Sequence, residues 1–119
     1  FKTNAVRCTW FSCRREFFSG LIGALKGHIN AWLRGLIHRD TSDDNTWFWV
    51  PIVDQDHAVP NWCIDEGVPK FCGETGTFPY SSVDREHPPN ICHDLESFIF
   101  LAFVLRVNVT GPYHQLQDW

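Results

Sequence analysis

His38, Arg39 and Asp40, with Asn45 five positions beyond the aspartate, spell HRDTSDDN, and no other stretch gathers as much potential chemistry. An aspartate on such a loop can accept and orient a hydroxyl proton. An amide shortly after it can hold a hard cation through its oxygen, and together these are what phosphoryl transfer asks of a loop. Four specified residues at roughly 4% usage each coincide by chance in about one chain of this length in several thousand. The octet alone is a pointer only, because Asp40 also reads as a turn residue and His38 as a satisfied core histidine.

The elements around the octet must position it. From Glu16 to Leu36 the residues Phe18, Leu21, Ile22, Leu25, Ile29, Trp32, Leu33 and Leu36 recur at steps of three and four, which predicts a helix of about five turns with that face buried. Gly20, Ala24, Gly27 and Ala31 form a second stripe at the same spacing. Interior glycines cost roughly 1 kcal/mol each against alanine, so this stripe implies a backbone packed close against it. Gly35 suits the left-handed position that closes the helix. Beyond the octet, Trp47 to Val53 reads as an edge strand or hairpin arm broken by Pro51 and ending at Asp54. Gln55 to Asn90, with its prolines and glycines, reads as one long loop. The apolar pattern resumes near His93 and Asp94 and runs through Leu105, predicting a helix apolar on nearly every side and hence central in its domain. Residues 113–119 are too short to read.

Bulk properties narrow the field. A chain of 119 residues fits one domain, and 44% hydrophobic with 20% charged residues is a globular composition. The formal net charge of −4, with basic residues scattered, offers no footprint for nucleic acid or an anionic membrane surface. No apolar run reaches the roughly 18 residues of a membrane span. The chain begins with Phe1 and has no methionine, which suggests a fragment in preference to a processed product. Cys8, Cys13, Cys63, Cys72 and Cys92 are odd in number and irregular in spacing, so reduced thiols in an intracellular chain are expected. A zinc site from Cys8, Cys13 and a histidine ranks below ordinary buried thiols. His57, His87 and His93 match no zinc spacing, and Asp43 and Asp44 read as solvated loop carboxylates.

The order is thus helix, HRDxxxxN loop, short β arm ending in Asp, long irregular segment and central apolar helix. It resembles the C-terminal lobe of a protein kinase. More closely, LIHRDTSDDN, IVDQDHA, TGTFPYSSVD and HDLESFIFLAFVL look like the fungal-type protein kinase family, with its HRDxS, its DxD in place of DFG, its TGT before Pro and an aromatic, and its HDLES. The resemblance runs from about Phe17 to Trp119 and leaves residues 1–15 unassigned.

The resemblance implies a mainly α chain, the C-terminal lobe of a protein-kinase-like fold that is α+β overall, with the N-terminal lobe absent. A catalytic loop would span 38–45, an activation segment 54–84 and a central helix about 94–106. It implies that Asp40 is the catalytic base, that Asn45 and Asp54 bind Mg2+, and that Asp54 bridges the metal to the phosphates of ATP. Arg39 would pair with an acidic or phosphorylated group of the activation segment. Thr75, Gly76 and Thr77 would lie near a protein substrate, Asp84 would close the segment, and Asp94 would hydrogen-bond the catalytic loop from behind. Gln55 departs from the family's usual aromatic. No Gly-rich loop, VAIK-like lysine or acidic partner helix precedes Glu16, so the chain as given is not expected to phosphorylate by itself. Two rival readings remain: a truncated or degenerate kinase-like remnant acting as a binding module, and a small secreted effector held by disulfides, suggested by the cysteines and the sequon at Asn108 to Thr110.

Overall fold

Helix α1 (Arg14–Leu33) follows Cys13, whose backbone is extended, and Glu16 in its first turn accepts hydrogen bonds from both the backbone N–H and the hydroxyl of Ser12, at 2.6 and 2.5 Å. An acid there suits the positive end of the helix dipole, and the Ser12 bonds hold the Glu16 carboxyl below its ordinary range. The helix stops where Gly35, at φ +87°, donates its N–H to the Trp32 carbonyl at 2.8 Å. The glycine therefore takes the left-handed role read from the sequence, and Leu36 belongs to the next strand. The structure, a computed structural model, describes residues 6–48, 56–67, 75–83, 90–111 and 115–116.

The buried face of α1 differs from the expected one. Phe17, Gly20, Leu21, Ala24 and His28 are buried, while Phe18, Ile22, Ile29, Trp32 and Leu33 are exposed. The small-residue stripe wins because a second long helix, α3 (Ile91–Asn108), packs against α1. Ala24 leaves room for Phe98, Leu101 and Leu105, the large side chains that α3 brings to the same core. Helix α3 begins three residues before Asp94: Asn90 Oδ1 accepts the Cys92 N–H at 2.7 Å, and His93 Nδ1 faces the Asn90 N–H at 3.3 Å. This is an asparagine cap, with histidine closing it from the third helical position.

Phe98, Leu101 and Leu105 of α3 join Phe17, Leu21 and Ala24 of α1, together with Cys8 and Tyr80, in the main core. The expectation that α3 is covered all round is corrected, since Ile99 and Phe103 are 67% and 68% exposed. Among the described residues, α3 therefore forms one wall of the core and presents a second apolar face outward.

Among the described residues, six short strands pair as three antiparallel ribbons. β1 (Val6–Arg7) pairs with β3 (Trp47–Phe48), and the Cys8 N–H continues the ladder to the Thr46 carbonyl at 2.9 Å. Residues 6–8 thus lie along the strand that leaves the octet. β2 (Leu36–Ile37), which leads into the octet, pairs with β4 (Val59–Pro60). β4 runs directly into α2 (Asn61–Asp65), and Asn61 N–H bonds the Gly35 carbonyl at 2.8 Å. Ile37, Val59 and Ile64 make a small satellite core beneath this ribbon. The long loop expected from Gln55 therefore contains a strand and a helical turn, both too short to leave a periodic trace. β5 (Val109–Gly111) and β6 (Gln115–Leu116) close the third ribbon. The chain is accordingly a small α+β domain dominated by its helices. Among the described residues, no helix is long and apolar enough to cross a membrane.

Candidate functional site

The octet's backbone is fixed from behind by one carboxylate. Asp94, 3% exposed on the first turn of α3, accepts the His38 N–H on Oδ2 at 3.1 Å and the Arg39 N–H on Oδ1 at 3.0 Å. Successive amides can converge on one anion when the chain turns through the left-handed region, and Arg39 sits at φ +73°. That conformation costs an arginine about 1–2 kcal/mol, which two bonds to a carboxylate offset. The third amide, of Asp40, donates to His38 Nδ1 at 3.3 Å. Three consecutive N–H groups are accounted for, and His38 is buried where it receives the last.

The Asp40 side chain emerges from this fixed backbone half-buried. Its Oδ1 accepts the Thr77 hydroxyl at 2.7 Å, and Asn45 Nδ2 donates both to Oδ2 at 3.1 Å and to the Asp40 carbonyl at 3.0 Å. Thr46, fully buried, returns its hydroxyl to the Ser42 carbonyl at 2.8 Å and tightens the turn that carries Asn45. With Nδ2 committed to Asp40, the amide oxygen Oδ1 is the Asn45 atom left with metal-binding chemistry.

The 75–83 segment closes the site from the other side. Thr75 donates its hydroxyl to the Arg39 carbonyl at 3.1 Å, and Gly76, at φ +112°, comes close enough that a Cβ would sit 3.5 Å from that same oxygen and 3.2 Å from Ser81 Cβ. Tyr80 anchors the segment in the main core. Burial pushes its hydroxyl up from the ordinary value, with the Asp43 carboxylate beside it adding to the effect. Asp43 thus meets a tyrosine, whereas Asp44 is exposed and pairs with Arg7 at 2.6 Å. Ser82 donates to Glu96 of α3, a further tie between segment and helix.

One buried group escaped the reading of the sequence. His28 on α1 is 0% exposed, lies edge-on to Phe98 and His38, and brings Nε2 to 3.3 Å from Asp94 Oδ2. The approach is out of line for a hydrogen bond, and neither ring nitrogen makes one. Burial, reinforced by the neighbouring His38, lowers His28 from 6.5 to about 4. Burial raises Asp94 from 3.8 to about 7, against the two amides and Arg39, which favour its ionised form. A signal did exist in the sequence: a histidine four residues after Ala24, on the small-residue side of an amphipathic helix.

Of the residues named for phosphoryl transfer, Asp40 and Asn45 stand together, with Thr75 and Thr77 bonded to the same loop. Asp54, Gln55, Asp84, Cys72 and His87 lie outside the described residues, as does any geometry joining Asp54 to Asn45. Arg39 is buried, and its carbonyl accepts the Thr75 hydroxyl of the 75–83 segment. Among the described residues no three His, Cys, Asp or Glu side chains cluster as metal ligands. Cys8 is buried, its thiol raised to about 12 by desolvation, Cys13 is exposed, and both, like Cys63 and Cys92, are free. The chain matches no known protein family, no curated protein and no solved structure in comparisons of sequence and fold.

Proposed function

We propose that this chain carries the catalytic-loop side of an ATP-dependent protein kinase that phosphorylates Ser or Thr hydroxyls of a protein substrate inside the cell. The observation that carries this reading is the state of Asp40: its backbone is fixed by buried bonds while its carboxylate already accepts a threonine hydroxyl at 2.7 Å. A Ser or Thr hydroxyl of a substrate meeting that carboxylate would find an acceptor poised for its proton. As the hydroxyl oxygen forms its bond to the γ-phosphorus, the bond from that phosphorus to the bridging oxygen breaks, ADP leaves, and the proton passes to Asp40. The Asn45 amide oxygen suits magnesium, which prefers hard oxygen ligands, and Asp54 would supply a second. Bound there, the ion would neutralise phosphate charge. Asn45 Nδ2 would meanwhile hold the base in place.

The test is incorporation of labelled γ-phosphate from ATP and magnesium into casein by the protein expressed from its complete reading frame. Asp40→Asn keeps the shape and removes the base, and is expected to lower the rate by about 100-fold or more. Activity unchanged in that variant, or none in the parent, would sink the proposal. One observation favours a second reading, a kinase-like binding module without catalysis: both Asp40 oxygens already have partners within the chain. Under that reading ATP turnover is nil and Asp40→Asn changes nothing.

A further inference from the structure

Among the described residues, His28 and Asp94 are buried titratable groups in contact that the chemistry at Asp40 does not use. They come from different helices and meet behind the loop, at 0% and 3% exposure. Asp94 spends one lone pair of each oxygen on a loop amide, whereas His28, 3.3 Å away, has no hydrogen bond at either nitrogen. A fully buried imidazole without a partner is costly. A small turn of the ring would let Nε2 accept a proton carried by Oδ2.

We propose that His28 and Asp94 share one exchangeable proton, and that its presence or absence sets how firmly Asp94 holds the His38 amide, so that His28 is a positioning residue for the loop. Without the proton, a carboxylate grips both amides and the imidazole is neutral. With it, the carboxyl O–H points at His28 Nε2. Oδ2 becomes a hydroxyl oxygen and a poorer acceptor for the His38 N–H, while Oδ1 keeps that of Arg39. Desolvation drives both groups away from charge, so an added proton settles on the carboxyl and leaves the imidazole neutral. Among the described residues, the other titratable or charged groups facing the pair come from the loop. Arg39 favours the ionised carboxyl, Asp40 opposes it, and His38 disfavours charging of His28. Phe98 on α3 contributes only an uncharged ring edge. The inference concerns the loop backbone and holds whatever Asp40 acts on.

The test is a titration from pH 5 to 9 of the intact protein, labelled with 13C at aspartate carboxyls and with 15N at amides and imidazoles. The Asp94 carboxyl carbon is expected to titrate near neutrality with the His28 ring uncharged throughout. The His38 amide should follow the same midpoint, and its exchange, corrected for intrinsic rate, should quicken about tenfold on the acid side as a charged acceptor becomes a neutral one. Asp94→Asn, which presents one carbonyl and one N–H donor, should hold that exchange at its acid-side level at every pH. An Asp94 carbon that stays ionised while His28 titrates above 6.5 would make the pair an ordinary ion pair and overturn the proposal. So would a His38 amide indifferent to Asp94. If Asp94→Asn does not fold, the parent titration decides alone.

Discussion

Replacing His28 with phenylalanine keeps a ring against Phe98 and removes one of two opposed proton linkages, so its effect lies in the pH dependence of stability. The folded-state value of His28 is depressed, from 6.5 to about 4. Its contribution is therefore present above 6.5 and lost as pH falls through about 4. The folded-state value of Asp94 is raised, from 3.8 to about 7, so its contribution is present below 3.8 and lost as pH rises through about 7. Between pH 4 and 6.5 the unfolded chain carries a charged histidine and a charged aspartate, and the folded chain carries neither charge. Unfolding then moves a proton from one to the other with almost no net exchange, and the two slopes cancel. In His28→Phe only the Asp94 linkage remains. The stability difference, parent minus variant, should rise with pH at about 1.4 kcal/mol per pH unit, or roughly 2–3 kcal/mol between pH 4.5 and 6.5. Urea midpoints at constant slope, measured on both proteins in half-unit steps, give this difference directly. A flat difference would mean that His28 titrates alike in both states, and a falling one that it is charged in the fold.

Asp94→Ala at pH 5.5 leaves the His38 and Arg39 amides buried without an acceptor and should cost about 2–5 kcal/mol in urea unfolding; a loss under about 1 kcal/mol would mean that the loop finds its bonds elsewhere. Gly76→Ala places a Cβ 3.2 Å from Ser81 at a φ of +112° and should cost about 1–3 kcal/mol, with the Thr77 contact to Asp40 weakened as seen in the Thr77 amide shift. An unchanged midpoint and shift would show that the segment is not held as described. Leu101→Ala, at a site 0% exposed, should lose about 2–5 kcal/mol, whereas Phe103→Ser, 68% exposed, should change stability by under about 1 kcal/mol. Reversed magnitudes would mean that the other face of α3 is the core.

Both long helices were legible because each repeats an apolar pattern over many turns, and the glycine at 35 marked the first one's end. Which face of α1 is buried was not. Phe18, Ile22 and Leu33 make the louder hydrophobic signal, but the partner selects the side where a small residue, Ala24, allows closer approach, and steric fit of that kind has no period. β4 and α2 were invisible for a related reason. Two residues of strand and five of helix are held by Gly35 and by the Ile37, Val59 and Ile64 cluster, contacts distant in sequence. At the candidate site, Asp40 and Asn45 could be named from residue type and spacing, and Thr75 and Thr77 only through the family resemblance. The bond network could not, since the Thr77 hydroxyl reaches Asp40 across 37 positions and Asp94 reaches Arg39 across 55.

That network separates what holds the loop from what could act on a ligand. The backbone of residues 38–40 is secured by groups that are buried and lie on other elements: Asp94 from α3, with His28 behind it on α1, and Thr75 from the segment anchored by Tyr80. The Asp40 carboxylate contributes little to this, being half-buried and bonded only through side chains that could exchange one partner for another. Stability and chemistry therefore draw on different atoms of adjacent residues. A loop built this way can keep Arg39 in a left-handed conformation, which an unsupported chain would relax, while the carboxylate next to it remains free to trade the Thr77 hydroxyl for that of another molecule. Under the proposed proton exchange the loop would also respond to events on its hidden side: a change at the His28 and Asp94 contact would alter the hold on the His38 amide and, through it, the backbone beneath the Asp40 side chain, without any group of the exposed face being touched.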